Sequence, residues 1–178
     1  MYGNLTNTGL FLISTLFDLY ILVLIIRLLL AFAGANYFNP VTQVIIKLTQ
    51  NLVTPMRHVL PTYRGIEFST LALIILFEMI KIFLLSLLVM GVPGILIVFI
   101  SALLATVKFI LNTYFYAILL QAILSWFQPG YSPAGQLLQQ ITTPILQPFK
   151  RIIPPINGID ITPIPAMIIL QMLIMLLP

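Results

Sequence analysis

One stretch of this chain is written twice. Leu48-Thr49, Pro55-Met56-Arg57-His58-Val59-Leu60-Pro61 and Gly65-Ile66-Glu67-Phe68-Ser69 recur, in the same order and spacing, as Ile141-Thr142, Pro148-Phe149-Lys150-Arg151-Ile152-Ile153-Pro154 and Gly158-Ile159-Asp160-Ile161-Thr162. The same offset sets Asn39-Pro40 against Ser132-Pro133, and Val44, Ile45, Leu48 and Leu52 against Leu137, Leu138, Ile141 and Ile145. Further upstream, after a single gap, Asp18 meets Asn112, Tyr20 meets Tyr114, Arg27 meets Gln121, and Ala31-Phe32 meets Ser125-Trp126. A period this long marks the duplication of a small domain rather than a solenoid. The expected units are residues 1–93 and 94–178, and whatever fold serves one must serve the other.

Composition fixes the medium in which that fold is built. Hydrophobic residues make up 61% of the chain and charged residues 7%, with a mean hydropathy of +1.14, whereas soluble domains carry about a quarter charged residues. An integral membrane protein is expected. The start, Met1-Tyr2-Gly3-Asn4-Leu5-Thr6-Asn7-Thr8, has neither a basic n-region nor a small-residue cleavage signal, so the first apolar run is expected to remain as a span. There is no cysteine, and no His/Glu motif has zinc spacing; disulfides, thiol metal sites and cofactors are not expected.

A span needs about 20 apolar residues to cross a hydrocarbon core of about 30 Å. Four runs qualify: about 10–33, 68–90, about 107–127 and 162–178. Residues 91–106 are left over. Gly91-Val92-Pro93-Gly94 breaks the pattern, and 95–106 reads either as a helical extension of the third span or as a half-inserted segment. The expected fold is therefore all-α, with four transmembrane helices in two tandem repeats. Lys47, Arg57, His58 and Arg64 follow the first span, and Lys150 and Arg151 follow the third. The positive-inside rule puts both loops in the cytoplasm, with both termini outside, so the repeats run parallel rather than inverted.

Each loop also holds an amphipathic pattern. Asn39 and Ser132 are N-cap residues, with Pro40 and Pro133 at the first helical position, where a missing N–H costs nothing. Val41, Val44, Ile45, Leu48 and Leu52 share one helical face, as do Leu137, Leu138, Ile141 and Ile145, which suits a helix lying at the headgroup level. Beyond it, the prolines at 55 and 61, and at 148 and 154, bracket basic pairs and predict stiff, non-helical backbone. Gly65 and Gly158 suit a positive φ, Glu67 and Asp160 are read as acids pairing with a loop cation, and Ser69 and Thr162 as caps of the next span. Arg57, His58, Arg64, Lys150 and Arg151 are candidate contacts for anionic lipid head groups or a protein partner. Tyr37, Tyr63, Tyr114, Tyr116 and Trp126 read as interface anchors.

These motifs resemble the YGGT family, called YlmG in chloroplasts. The likeness covers nearly the whole chain and is densest in the second copy: Ser125-Trp126-Phe127, Ser132-Pro133, Thr142-Thr143-Pro144, Pro148-Phe149-Lys150-Arg151-Ile152-Ile153-Pro154-Pro155 and Gly158-Ile159-Asp160-Ile161-Thr162-Pro163. The first copy departs, with Ala31-Phe32 for Ser-Trp, His58 for the second basic residue and Glu67 for the aspartate. The resemblance implies a bacterial inner-membrane or organelle-membrane protein linked to cell division, nucleoid distribution or tolerance of osmotic stress. It brings no catalytic residue.

Four charges fall inside the first two predicted spans. A rise of about 1.5 Å per residue places Arg27 and Glu78 about 9 and about 14 Å deep, and Lys81 and Asp18 about 18 and about 22 Å deep. Two level pairs are expected, Arg27 with Glu78 and Asp18 with Lys81, facing inward because charge at such depth is costly unless paired. Gln121 and Gln171 are the second copy's counterparts of Arg27 and Glu78. As interhelical glue such groups contribute about 0.6 to 2 kcal/mol each; the alternative is a proton or cation path with Glu78 as its titrating group. The net neutrality of the four favours glue. No nucleophile and base stand at a recognisable spacing, and the lone His58 lies in a basic loop, so an enzyme is not expected. The favoured reading is a non-catalytic protein that organises membrane or protein partners, other membrane proteins or its own copies, at the cytoplasmic face, with no direct nucleic-acid partner. The alternative is a small oligomeric ion or osmolyte conduit.

Overall fold

The computed structural model describes residues 2–89, 91–127, 132–153 and 160–178. The expectations placed on Met90, Pro154, Pro155 and Gly158, and on the side chain of Trp126, lie outside the described residues. Six helices and one two-stranded hairpin follow in the order α1 (Tyr2–Phe32), α2 (Pro40–Arg57), β1 (Thr62–Tyr63), β2 (Ile66–Glu67), α3 (Phe68–Val89), α4 (Ile95–Phe127), α5 (Pro133–Ile152) and α6 (Pro163–Leu176). The protein is helical for a physical reason: a helix satisfies its own backbone polar groups, which hydrocarbon cannot do.

Three helices are long and apolar enough to cross a membrane, over Asn7–Phe32, Phe68–Val89 and Ile95–Ser125. Residues 95–106 form the N-terminal third of α4, one unbroken helix of 33 residues with the run 107–127. The last apolar run is shorter. Its helix α6 has 14 residues, which at 1.5 Å each reaches about 21 Å, against a hydrocarbon core of about 30 Å.

α1 packs on α3, α3 on α4 and α4 on α6; α2 lies against α1 and α3, and α5 against α4 and α6. The two amphipathic helices also touch each other, so both lie at one end of the bundle. Asn39 ties them directly. Its Oδ1 accepts from the Val41 amide, capping α2, while its Nδ2 donates to the carbonyl of Pro133 at the start of α5, 2.9 Å away. Ser132 caps α5 by accepting from the Gly135 amide. The buried core gathers at this end, from Ile21, Leu24, Ile25 and Leu28 of α1, Ile74 of α3, Ile118 of α4, and Leu137, Ile141 and Leu146 of α5. Away from it, Leu12, Leu16 and Leu19 of α1, Leu76, Ile80 and Phe83 of α3, and Leu103 and Val107 of α4 stand exposed. Apolar side chains facing outward along helices of this length suit a lipid surround.

Four local expectations are corrected. The prolines do not stop the helices: α2 continues through Pro55 to Arg57, and α5 through Pro144 and Pro148 to Ile152. Pro55 leaves the carbonyl of Asn51 without its intrahelical donor, at a residue that is exposed rather than buried. The packed face of α2 is not the predicted stripe. Thr42, Ile45, Thr49 and Val53 are buried, whereas Val44, Leu48 and Leu52 are exposed. α2 thus has three faces: a small, partly polar one against the bundle, an apolar one facing out, and a polar one carrying Gln43, Lys47 and Gln50. Ser69 is no cap: α3 already begins at Phe68, and Ser69 Oγ is buried without a hydrogen-bond partner among the described residues, while the Glu67 carboxylate accepts from the Thr70 hydroxyl at 2.6 Å. Thr162 stands at the N-cap position of α6 without a capping bond, its amide and hydroxyl both donating to Asp160 Oδ1. Among the tyrosines, Tyr114 is buried in the core, while Tyr37, Tyr63 and Tyr116 are exposed.

Candidate functional site

The hairpin between α2 and α3 places one carboxylate. Thr62 pairs with Glu67 and Tyr63 with Ile66, which leaves a two-residue turn at Arg64 and Gly65 with φ of 51° and 82°. Positive φ at both central positions matches the twist of a tight hairpin, and Gly65 adopts it without strain. The turn delivers Glu67 into the bundle, where it is buried.

Two arginines converge on it. Arg27 of α1, also buried, donates from Nε to Glu67 Oε2 at 2.9 Å and from Nη1 to Thr49 Oγ1 at 2.7 Å, and its Nη2 stands 3.4 Å from Glu67 Oε1. Arg57, at the last turn of α2, bonds Glu67 Oε1 through Nη2. The Thr49 hydroxyl in turn donates to the Ile45 carbonyl at 2.7 Å. Burial pushes the Glu67 carboxyl up, but hydrogen bonds from Arg27 and Thr70, with the charges of Arg27 and Arg57, outweigh it and hold the group below the ordinary carboxylate range. Arg27 therefore pairs with Glu67 and not with Glu78. The reason is reach: an arginine near a helix end extends its flexible stem toward the interface, and the carboxylate at the lip of α3 is closer to that path than one two to three turns inside it.

A cleft of about 300 Å³ opens beside this cluster, lined by Arg27, Arg57, Glu67, Thr42 and Tyr37 on its polar side and by Leu30, Ala31 and Ile46 on its apolar side. Its rim is open, since the Arg57 side chain is 50% exposed. Two guanidiniums against one carboxylate leave one positive charge in excess. Thr42 is 1% exposed, and its Oγ1 has no hydrogen-bond partner among the described residues.

The second half holds a quieter version. Thr142 bonds Gln121, the residues aligned with Thr49 and Arg27, so Gln121 is joined to Thr142 and not to Gln171. Lys150 pairs with Asp160 at 2.9 Å at a half-exposed site. Burial raises the Asp160 carboxyl, but bonds from Thr162 and Lys150 and the Lys150 charge leave it lowered overall. His58, Arg64 and Arg151 are exposed, and the Arg64 guanidinium sits 5.3 Å from the Tyr63 ring centre.

Deeper in the bundle Lys81 of α3 stands between two acids. Its Nζ donates to Asp18 Oδ1 of α1 at 2.7 Å and lies 2.7 Å from Glu78 Oε2 on its own helix. The contact with Glu78 lies outside hydrogen-bond angles and acts as an ion pair alone. Neutrality is thus divided: the cluster at the hairpin carries one excess positive charge, and this one carries two acids to one cation. Sequence reasoning overlooked Thr42 and Thr49; the available signal was a threonine pair seven apart inside an apolar helical stripe. It also overlooked Lys108, whose Nζ reaches the carbonyls of Leu177 and Pro178 at 3.4 and 3.1 Å. Among the described residues, no group of three His, Cys, Asp or Glu is placed to hold a metal ion.

The profile of the CCB3/YggT family matches residues 6–88 and 100–178. The chain belongs to the CCB3/YggT family. It is similar to uncharacterized protein PA0392 of Pseudomonas aeruginosa, 34% identical over 176 residues, which span 97% of this chain and 89% of that one. It is likewise similar to uncharacterized protein YggT of Escherichia coli K12, 34% identical over 167 residues, or 94% of this chain and 87% of that one. Uncharacterized protein ycf19 of Guillardia theta is 41% identical over 68 residues, 34% of this chain and 69% of its own length. No solved structure matches the chain. The names of these CCB3/YggT relatives state no activity.

Proposed function

We propose that this CCB3/YggT protein is a non-catalytic integral membrane protein whose basic end organises lipid and membrane-protein partners. Four spans in two parallel repeats, 1–93 and 94–178, hold α2 and α5 side by side as a platform at the cytoplasmic face of a bacterial inner membrane. The observation that carries the reading is the meeting of the two amphipathic helices at one end, where Asn39 bonds Pro133. Exposed Val44, Leu48 and Leu52 on α2 suit insertion among acyl chains, while Lys47, Arg57, Lys150 and Arg151 suit anionic surfaces. A link to cell division, nucleoid distribution or osmotic tolerance would act through the proteins recruited there. The test is native mass spectrometry of the particle extracted gently from its own membrane. A stoichiometric foreign membrane subunit, lost when Lys150 and Arg151 are both changed to glutamate, supports the platform; a bare monomer unaffected by that change rejects it.

A second reading, a small oligomeric conduit, is favoured by one observation: Lys81 faces two acids, leaving a net negative group among the spans. It predicts that Glu78→Gln abolishes ion flux in reconstituted vesicles while leaving the protein folded. Flux that survives, or that never rises above protein-free vesicles, removes it.

A further inference from the structure

We infer that the cleft beside Arg27 and Arg57 is a binding site for a phosphate-ester monoanion, the chemistry of a phospholipid headgroup. The inference rests on the membrane-platform reading only in placing the cleft at headgroup level.

Charge selects the class. Glu67 neutralises one of the two arginines lining the cleft, and the remaining single positive charge matches a phosphodiester, which carries one negative charge. Donors select the geometry. Of the Arg57 guanidinium only Nη2 is bonded among the described residues, which leaves Nε and Nη1 of this half-exposed cleft-lining side chain with their protons uncommitted. Arg27 has spent Nε and one Nη1 proton on Glu67 and Thr49, and its Nη2 reaches Glu67 only at 3.4 Å. Thr42 adds a hydroxyl that is buried without a partner, a state that leaves an unmet desolvation cost. Tyr37 supplies a further hydroxyl at the open side. Charged donors and hydroxyls arriving from α1, α2 and the loop between them suit a tetrahedral oxyanion with several acceptor oxygens.

Size is consistent with this. About 300 Å³ lies at the small end of ligand sites, enough for a phosphate and its ester linkages but not for acyl chains. The wall formed by Leu30, Ala31 and Ile46 would meet the glycerol carbons. The second half lacks the site's charge: Gln121 stands where Arg27 does, so the aligned position has no buried cation. One ligand per chain is expected.

Delipidated protein in a neutral detergent would be titrated with phosphatidylglycerol, with diacylglycerol lacking the phosphate, and with inorganic phosphate, and bound mass read by native mass spectrometry. Saturation at one phosphatidylglycerol per chain, with no such step for diacylglycerol, supports the site. Arg57→Gln should weaken that step about tenfold or more, and Thr42→Val severalfold. Removal of an unpaired buried hydroxyl should leave the ligand-free thermal midpoint of Thr42→Val unchanged or higher, which separates lost binding from lost folding. Inorganic phosphate that itself saturates the site and displaces the lipid supports the same phosphate chemistry with a free anion as its source. Absence of a saturable step with either probe, or equal binding by wild type, Arg57→Gln and Thr42→Val, overturns the inference. Lys150→Gln with Arg151→Gln lies outside the cleft. It should leave the one-lipid step intact while removing the foreign subunit expected of the platform, so the two readings fail separately.

Discussion

At the scale of single residues, the bundle holds its charges in two unequal clusters, and their response to substitution follows from what each loses. Glu67 is the one carboxylate facing Arg27 and Arg57; changing it to glutamine leaves a buried cation without its counter-charge, a loss of about 3 kcal/mol. Folding lowers the Glu67 pKa, so the unfolded chain binds this proton more readily than the folded one. The stability it contributes is complete above the ordinary carboxylate value of about 4.3 and is lost as pH falls through the lowered folded value. Thermal melts in detergent should therefore show wild type losing stability below pH of about 4, with a smaller acid loss in Glu67→Gln. Asp160 acts equally in both proteins, so the difference between the two profiles belongs to Glu67, and superimposable profiles would refute the assignment. Lys81 behaves in the opposite sense. Glu78→Gln leaves Lys81 and Asp18 as a balanced pair and should cost little, about 0.6 kcal/mol, whereas Lys81→Met leaves two facing acids and should cost about 3 kcal/mol or more. Equal losses in the two variants would show that Lys81 is not the group balancing both acids.

At the scale of elements, the hairpin carries Glu67 to its place, and its turn is the point of control. Gly65 has φ of 82°, and a Cβ there would meet only ordinary contacts, the closest being the Ala31 carbonyl at 3.6 Å. The penalty of Gly65→Ala is therefore conformational rather than steric crowding, about 1–2 kcal/mol. It should also displace Glu67, so that the melt of Gly65→Ala loses part of the same acid sensitivity as Glu67→Gln. Arg64→Asn, which suits φ of 51° better than arginine, should leave the midpoint unchanged or raise it; a fall would mean that the arginine's contact with Tyr63 outweighs its backbone strain. Positions of the helices were legible from hydropathy, and the caps at Asn39 and Ser132 from residue type. The face on which α2 packs was not. A hydrophobic stripe is a reliable guide to the inside only when water is outside; beside a bilayer, Val44, Leu48 and Leu52 gain as much from lipid, and the contact with the bundle goes to Thr42 and Thr49, small enough for close approach. Pairing of Arg27 was misread for a related reason: depth along a straight helix ignores the length of the side chain, which carries the charge toward the interface.

At the scale of the whole molecule, the described helices of the two halves follow one order: a long helix, an amphipathic helix, then an apolar helix. The duplicated motif made that order legible in advance, but not the unequal lengths of the closing helices, 22 residues in α3 and 14 in α6. Whether α6 crosses decides between four spans and three. A 14-residue helix reaches about 21 Å and must thin the bilayer locally or be extended by its flanks to cross, at a modest cost per ångström of mismatch. Because the chain contains no cysteine, single cysteines report sidedness without background. Cysteines replacing His58 and Arg151 should react with an impermeant maleimide from the cytoplasmic side, and one replacing Val92 from the opposite side. A cysteine at Leu177 then gives the answer: labelling with Val92 means that α6 crosses and the two halves are parallel, whereas labelling with Arg151 means that α6 turns back and the second half has a different topology from the first. The ties from Lys108 to the carbonyls of Leu177 and Pro178 favour the crossing. Lys108 lies in the N-terminal half of α4, about 28 Å along the helix from its end at Phe127, so a chain held there has left the basic end behind.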